Sequence, residues 1–312
     1  MPPHVVVICG PTASGKTRLG IALCSLLNGE VVSADSMQIY RDMNIGTAKP
    51  SKEEMRGIPH HMIDIVDPDE NYSVARYVQD ATRATDDILA RNKIPFIVGG
   101  TGLYIDALCN GHGFLSFDPN TRLQLQERAR NQGIQLLWTE LSQIDPEAAA
   151  RLHSNDEKRI LRALEVFYET GKTITAHNRE TQLLPPRYQS TVISLQFAER
   201  RQQNEQINRR VDEMMRNGFQ EEVRSLLKRG IRADATAMQA IGYRELATVL
   251  LSGADLTAAT EEIKLHSRQY AKRQLTWFRR NANAHRILWG DQPDFSTALQ
   301  DSANFIALAG LG

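Results

Sequence analysis

The chain has no excess charge of either sign: 37 Lys and Arg balance 37 Asp and Glu over 312 residues. Net charge therefore argues for neither a nucleic acid nor a membrane surface, and any such argument must come from local clusters. Cysteine is scarce. Cys9, Cys24 and Cys109 form no C-x-x-C, which excludes a disulfide framework and predicts buried free thiols in a reducing, cytoplasmic setting. No apolar run approaches the roughly 20 residues needed to span a bilayer. The chain enters its first apolar strand without a charged and then apolar leader, so neither a secretory signal nor a membrane association is expected. Repeats and low-complexity tracts are missing too. What remains is 41% hydrophobic and 24% charged, an ordinary globular composition with room for one large domain or two of usual size.

One segment departs from this plainness. Gly10-Pro11-Thr12-Ala13-Ser14-Gly15-Lys16-Thr17 fills every fixed position of G-x-x-x-x-G-K-[ST]. The β-branched run His4–Cys9 before it suits a buried parallel strand, and Thr17–Leu27 after it has apolar residues at helical spacing. A strand, a glycine loop and a helix N-terminus make an anion cradle. Backbone N–H groups and the helix dipole point at phosphate oxygens, Lys16 adds a full charge, and the Thr17 hydroxyl can hold Mg²⁺. The motif predicts a nucleotide- or diphosphate-binding site of the kind found in ATP-binding proteins. It does not say which phosphate compound is bound.

Strands and helices alternate through the first hundred residues. Glu30–Asp35 reads as a second strand ending in an acid, Val74–Arg91 as a long helix, and Ile94–Val98 as a third strand followed by Gly99-Gly100-Thr101-Gly102. Such alternation predicts an α/β fold, a parallel P-loop sheet flanked by helices, whose ligands bind at the carboxyl ends of the strands. The loop at 10–17, Asp35 and Thr101 should converge there. Residues 113–190 read as a helical insertion domain, with Ser154-Asn155-Asp156-Glu157 as a helix start and Pro185-Pro186 as the linker back. The core then comprises 1–112 and 191–290, with helices over 204–217, 219–229, 239–251 and 256–281. Residues 291–312 carry little signal and read as a C-terminal tail. His60-His61 lacks metal-ligand spacing and reads as structural, and Met37, Met214 and Met215 read as packing residues.

Charge is uneven near the end. Between 263 and 289 lie Lys264, Arg268, Lys272, Arg273, Arg279, Arg280 and Arg286 with no acid, interleaved with Tyr270, Trp277 and Phe278. Such a stretch can track a phosphate backbone, and it can equally be a solvated helix face. A small-molecule kinase also remains open, with Asp35 as base, although the strand at 94–98 lacks the terminal acid that would hold Mg²⁺ and no compact arginine lid is evident.

The blocks 10–17, Ser33-Ala34-Asp35-Ser36-Met37-Gln38-Ile39-Tyr40, Gly46-Thr47-Ala48-Lys49-Pro50, Pro59-His60-His61, Gly99–Tyr104, Asn155-Asp156, Arg162-Ala163-Leu164-Glu165, Ala240-Ile241-Gly242-Tyr243 and Lys272–Arg279 follow one another in order. Together they resemble the bacterial tRNA dimethylallyltransferase (isopentenylpyrophosphate transferase) family over most of the chain. The resemblance implies an enzyme, a prenyltransferase that moves a dimethylallyl group from dimethylallyl diphosphate to N6 of the adenosine 3′ of the anticodon, in tRNAs reading codons that begin with U. It implies Asp35, Thr101 and Arg210 as catalytic residues, Arg210 helping to hold the diphosphate. It implies tRNA contacts at Asp35, Ser36, Met37, Gln38, Thr101 and Arg122; at Lys158, Arg159, Ile160, Leu161 and Arg162; and at Gln239, Ala240, Ile241, Gly242, Tyr243 and Arg244. The expected cofactor is Mg²⁺, and the expected partner is the anticodon arm of tRNA, gripped by a monomer.

The chemistry agrees with these residues. A cradle with Lys16 stabilises a departing pyrophosphate. The exocyclic amine of adenine is a poor nucleophile, so a carboxylate must take its proton, and Asp35 is the natural choice. The D-D-x-x-D motif of chain-elongating prenyl synthases is incomplete, since Asp86-Asp87-Ile88-Leu89-Ala90 lacks the last acid. A relative that prenylates free adenine nucleotides, and a non-catalytic RNA-binding module, are the competing readings. The insertion and the basic 263–286 stretch argue against the first, and the intact Lys16, Thr17, Asp35, Thr101 and Arg210 against the second.

Overall fold

In a computed structural model, residues 2–111, 118–290 and 294–311 are described. They form two compact units, one of 1–109 with 187–312 and one of 110–186. The expected starting point of the insertion, at 112/113, lies outside the described residues.

The first unit is built on a six-stranded sheet. Its strands are β1 (His4–Cys9), β2 (Gly29–Ser33), β3 (His60–His61), β4 (Ile94–Gly99), β5 (Gln189–Phe197) and β6 (His285–Trp289), in the spatial order β3-β2-β4-β1-β5-β6. Every pairing is parallel, with Val6 opposite Phe96 on one side and Thr191 on the other. The expectation of a parallel α/β sheet is met. The central β1 is buried on both faces, which is why five apolar residues run without alternation. Val6, Ile8, Leu19, Leu23, Phe96, Val98, Ile193, Leu195, Ile287 and Trp289 form one continuous core. Cys9, Cys24 and Cys109 are all free and buried.

Three expectations change here. Residues 291–312 are not a featureless tail, because Phe295–Leu308 is a helix whose Ala298 and Ile306 join the sheet core. The stretch 263–289 is not one helix face: Leu256–Phe278 is helical, the chain then turns, and Arg286 lies on edge strand β6. The helix expected at 239–251 begins four residues later, at Tyr243, because Gly242 takes φ 93°, and a short 3₁₀ turn precedes it over Ala237–Gln239. Tertiary packing decided each of these, and sequence periodicity carries no such information.

The second unit is helical, with helices at Pro119–Gln132, Ile134–Ile144, Pro146–Arg151, Glu157–Thr170 and Ile174–Gln182. Leu125, Leu137, Leu141, Ile160, Leu161 and Leu164 fill its core. Side chains of Asp118, Asp145, Asp156 and Thr173 cap four of the five helix starts. Asp145 does more, also accepting from the Thr175 amide at 3.0 Å and hydroxyl at 2.8 Å. Among the described residues, no helix is long and apolar enough to cross a membrane.

Candidate active site

The phosphate loop leaves β1 at Gly10, where a Cβ would fall 2.5 Å from the Leu195 carbonyl of β5 and 2.9 Å from Ser14 Oγ. Only glycine lets the loop fold so tightly against the sheet. Helix Lys16–Leu26 starts after Gly15, at φ 81°, and no side chain caps it. Its first amides are thus left for a ligand, in contrast to the capped helices of the second unit. Ser14 Oγ is buried, with no hydrogen-bond partner among the described residues. Both features suit an anion. Two distant residues brace the loop: Gln274 Oε1 accepts from Thr12 N–H at 2.9 Å, and Trp289 Nε1 of β6 donates to the Ser14 carbonyl at 2.8 Å.

Lys16 donates to the Pro11 carbonyl at 3.3 Å, and among the described residues no carboxylate lies within ion-pair distance of it or of Arg210. Burial, aided by the Arg210 guanidinium and opposed by Asp35, pulls the Lys16 ammonium down to about 8. Burial likewise holds Arg210, from helix Arg200–Arg216, below its ordinary value. Two desolvated cations lining one cavity await a negative charge.

Asp35 follows β2 directly. Its Oδ1 accepts from the amides of Met37 at 2.9 Å and Gln38 at 3.3 Å, closing a turn at the sheet edge. Thr101 follows β4, with its N–H on the Ala34 carbonyl at 3.1 Å and its hydroxyl accepting from Ser36 N–H at 3.2 Å. So the ends of β2 and β4 are stitched together, and Asp35 and Thr101 share one edge. Tyr270 stands against them. Burial first and Asp35 second push its phenol up to about 12, while hydrogen bonds with Thr101 and Gln274 pull the other way. Gln274 Nε2 donates to the Gly100 carbonyl at 2.9 Å, so a single amide couples the phosphate loop to the turn bearing Thr101.

A cavity of about 800 Å³ is lined by 12–18, Asp35–Gln38, Gly46–Ala48, Arg210, Gln239–Ile241, Tyr270, Arg273 and Gln274 among others, while Thr101 stands outside this lining and reaches it through Ser36. Met37 and Met214 also line it, so these two are not the packing residues expected from sequence. All the lining belongs to the first unit.

The family model described as IPP transferase (IPPT) matches residues 38–281. This chain belongs to the IPP transferase family. The match begins after the phosphate loop, which rests on its own motif and on relatives covering more of the chain. The tRNA dimethylallyltransferase of Halalkalibacterium halodurans is 45% identical over 98% of both chains, and that of Thermoanaerobacter sp. (strain X514) is 48% identical over 88% of this chain and 89% of the relative. Among solved structures, the tRNA isopentenylpyrophosphate transferase of Bacillus halodurans superposes with a TM-score of 0.73 at 43% identity, covering 97% of this chain and 95% of that one. A eukaryotic dimethylallyltransferase acting on tRNA gives 0.82 at 30% identity, covering 98% and 80%.

The tRNA contacts that family resemblance suggests divide by exposure. Ile160 and Leu161 are buried in the core of the second unit, so their side chains hold the helix rather than meet a ligand. Lys158 and Arg159 are exposed on that helix. Arg159 pairs with Asp156 at 2.6 Å, while Arg162 at 2.8 Å and Arg122 at 3.6 Å both pair with the buried Glu165. In the first unit Gln239 and Arg244 are exposed, Ala240 and Ile241 line the cavity, and Gly242 and Tyr243 are buried. Lys264 is neutralised by Asp212 and Glu261, and Arg268 donates to Asn208, while Lys272, Arg279, Arg280 and Arg286 are exposed and Arg273 is exposed at the cavity. His60 and His61 serve the sheet edge, His61 pairing with buried Glu30 at 2.8 Å. The residues that sequence reasoning missed are Tyr270, Gln274 and Trp289. The first two sit in or beside the Lys272–Arg279 block, but only the fold brings them to the loop.

Proposed function

We propose that this protein transfers a dimethylallyl group from dimethylallyl diphosphate to N6 of the adenosine 3′ of the anticodon, in tRNAs that read codons beginning with U, giving N6-(dimethylallyl)adenosine. One observation carries the reading. A single cavity joins an anion cradle and two cations without an ion-pair partner among the described residues, Lys16 and Arg210, to the carboxylate of Asp35 with Thr101 beside it. Relatives named for this reaction, nearly half identical over most of the chain, support it.

The C1–O bond of the allylic diphosphate breaks as the N6–C1 bond forms, and the charge that develops on pyrophosphate spreads over the loop amides, Lys16 and Arg210. The N6 proton passes to Asp35. Its Oδ1 is fixed by the Met37 and Gln38 amides, so the turn aims the carboxylate before the substrate arrives. Thr101, held by Ser36, orients the amine. The Thr17 hydroxyl lines the cavity and is a hard oxygen donor of the type Mg²⁺ takes. The Thr17 hydroxyl would hold the ion, which would neutralise part of the diphosphate charge. A stacked adenine cannot reach this cavity, so the base is flipped out of its loop. The exposed cations of 272–286 contact the phosphates of the anticodon arm, and Lys158 and Arg159 are the second unit's own candidates for phosphate contacts. The free buried thiols support a cytoplasmic setting.

The test is to incubate the protein with labelled dimethylallyl diphosphate and either tRNA or free adenine nucleotides. Label on tRNA is expected. Label on free nucleotide alone would reassign the acceptor, and label on neither would leave a binding module.

A further inference from the structure

Helix Phe219–Lys228 presents two side chains that the steps above do not use. Glu222 Oε2 accepts from the backbone N–H groups of Asn44 and Ile45, both at 2.8 Å. Its Oε1 accepts from Gly46 N–H at 3.1 Å and from the Tyr243 hydroxyl at 2.6 Å. One turn earlier, the Phe219 ring fills the space between two glycines. A Cβ on Gly46 would fall 2.2 Å from that ring, and one on Gly242 would fall 2.5 Å from it. The Phe219 and Tyr243 rings meet edge to face with centroids 4.9 Å apart. A single helical turn therefore grips two segments nearly two hundred residues apart, 44–48 and 239–243.

Both segments line the cavity, the first through Gly46, Thr47 and Ala48, the second through Gln239, Ala240 and Ile241. The first is also tied to the carboxylate. Gln38 Nε2 donates to the Thr47 and Ala48 carbonyls, each at 3.3 Å, and Gln38 N–H donates to Asp35 Oδ1. A route of direct hydrogen bonds runs from Glu222 through 46–48 and Gln38 to Asp35. The four donors on Glu222 all belong to loops and a helix start, so the sheet does not depend on them. Each bond is charge-assisted and so stronger than a neutral one.

Resting on the reading of this cavity as a tRNA prenyl-transfer site, we propose that Glu222 is a positioning residue: it fixes the cavity wall that receives the acceptor base and, through Gln38, the turn that carries Asp35. An amide in its place loses the charge and turns one acceptor into a donor facing donors.

The experiment compares wild type, Glu222→Gln and the milder Tyr243→Phe, which removes only the phenol hydroxyl, in two assays. Steady-state kinetics should show the KM for tRNA raised about tenfold in Glu222→Gln and kcat lowered, the kind of loss a displaced wall causes. The KM for dimethylallyl diphosphate should stay within about twofold, because the phosphate loop shares none of these bonds. Amide hydrogen exchange should quicken in 44–48 and 239–243 and stay unchanged in β1 and the phosphate loop. Tyr243→Phe should shift the same quantities in the same direction by less, and it carries the test if Glu222→Gln does not fold. Unchanged exchange in both segments would overturn the clamp. Faster exchange with both KM values unchanged, or a kcat that falls only with the fraction of active enzyme, would overturn the positioning role. If wild type labels no tRNA, the functional reading fails by itself, and the exchange assay still decides the clamp.

Discussion

The cations of the two units differ in what already faces them. In the second unit Arg122, Arg159 and Arg162 are each paired with an acid, and Glu165 holds two of them. In the first unit Lys16 and Arg210 are desolvated, line one cavity, and have no carboxylate within ion-pair distance among the described residues. The lesson is that a basic residue's role follows from its surroundings. A surface pair such as Arg159–Asp156 contributes about 0–1 kcal/mol, so little changes there when a phosphate arrives, and Arg122 and Arg162 already have the buried Glu165 as their counter-charge. Unpaired desolvated cations carry a cost that an anion removes, so the chemistry concentrates in the first unit. The helix starts say the same. Four of five in the second unit are closed by Asp or Thr side chains, whereas the one at Lys16 is left open.

The largest test of this contrast is Asp35→Ala. It should lower single-turnover prenyl transfer by roughly 10²–10⁴, the range for a lost general base, while substrate binding stays within about tenfold. Fast transfer with collapsed binding would make Asp35 a ligand-positioning group instead. Lys16→Ala comes next, with a loss of about 10²–10³ in turnover and an unchanged circular dichroism spectrum. Near-normal turnover would break the assignment of the cradle. The same lysine predicts a pH profile. Its folded value is lowered to about 8, and the diphosphate needs the ammonium form, so kcat/KM for dimethylallyl diphosphate should be flat below pH 8. Above that it should fall about tenfold per pH unit as the free enzyme loses the proton. A profile flat through pH 9 would show that Lys16 stays charged.

The smallest effect belongs to the paired cations. Arg159→Gln with Arg162→Gln should reduce the salt dependence of tRNA binding by about 0.7 in log–log slope for each phosphate that is no longer neutralised. The KM for dimethylallyl diphosphate should not move, since all the cavity lining lies in the other unit. An unchanged slope would confine these arginines to their pairs with Asp156 and Glu165.

Much of this was legible in the residue order. The phosphate loop between a β-branched run and a helix, the acid at the end of β2 and the glycines after β4 each announce themselves locally. Parallel α/β topology brings strand ends to one edge without further information. Short-range pattern determined that the phosphate loop, Asp35 and Thr101 would share one edge of the sheet. It could not show Tyr270, Gln274, Trp289 or Glu222, whose partners lie roughly 170–275 residues away in sequence. Nor could it separate Ile160 and Leu161 from Lys158 and Arg159, since the direction of a helix face is set by what packs against it. The helix at 295–308 and strand β6 escaped for the same reason: their apolar residues have meaning only against Leu19, Leu195 and the rest of the core. Local propensity and spacing wrote the phosphate site into the sequence, whereas long-range packing alone decided which side chains brace it and which cations were left to meet an anion.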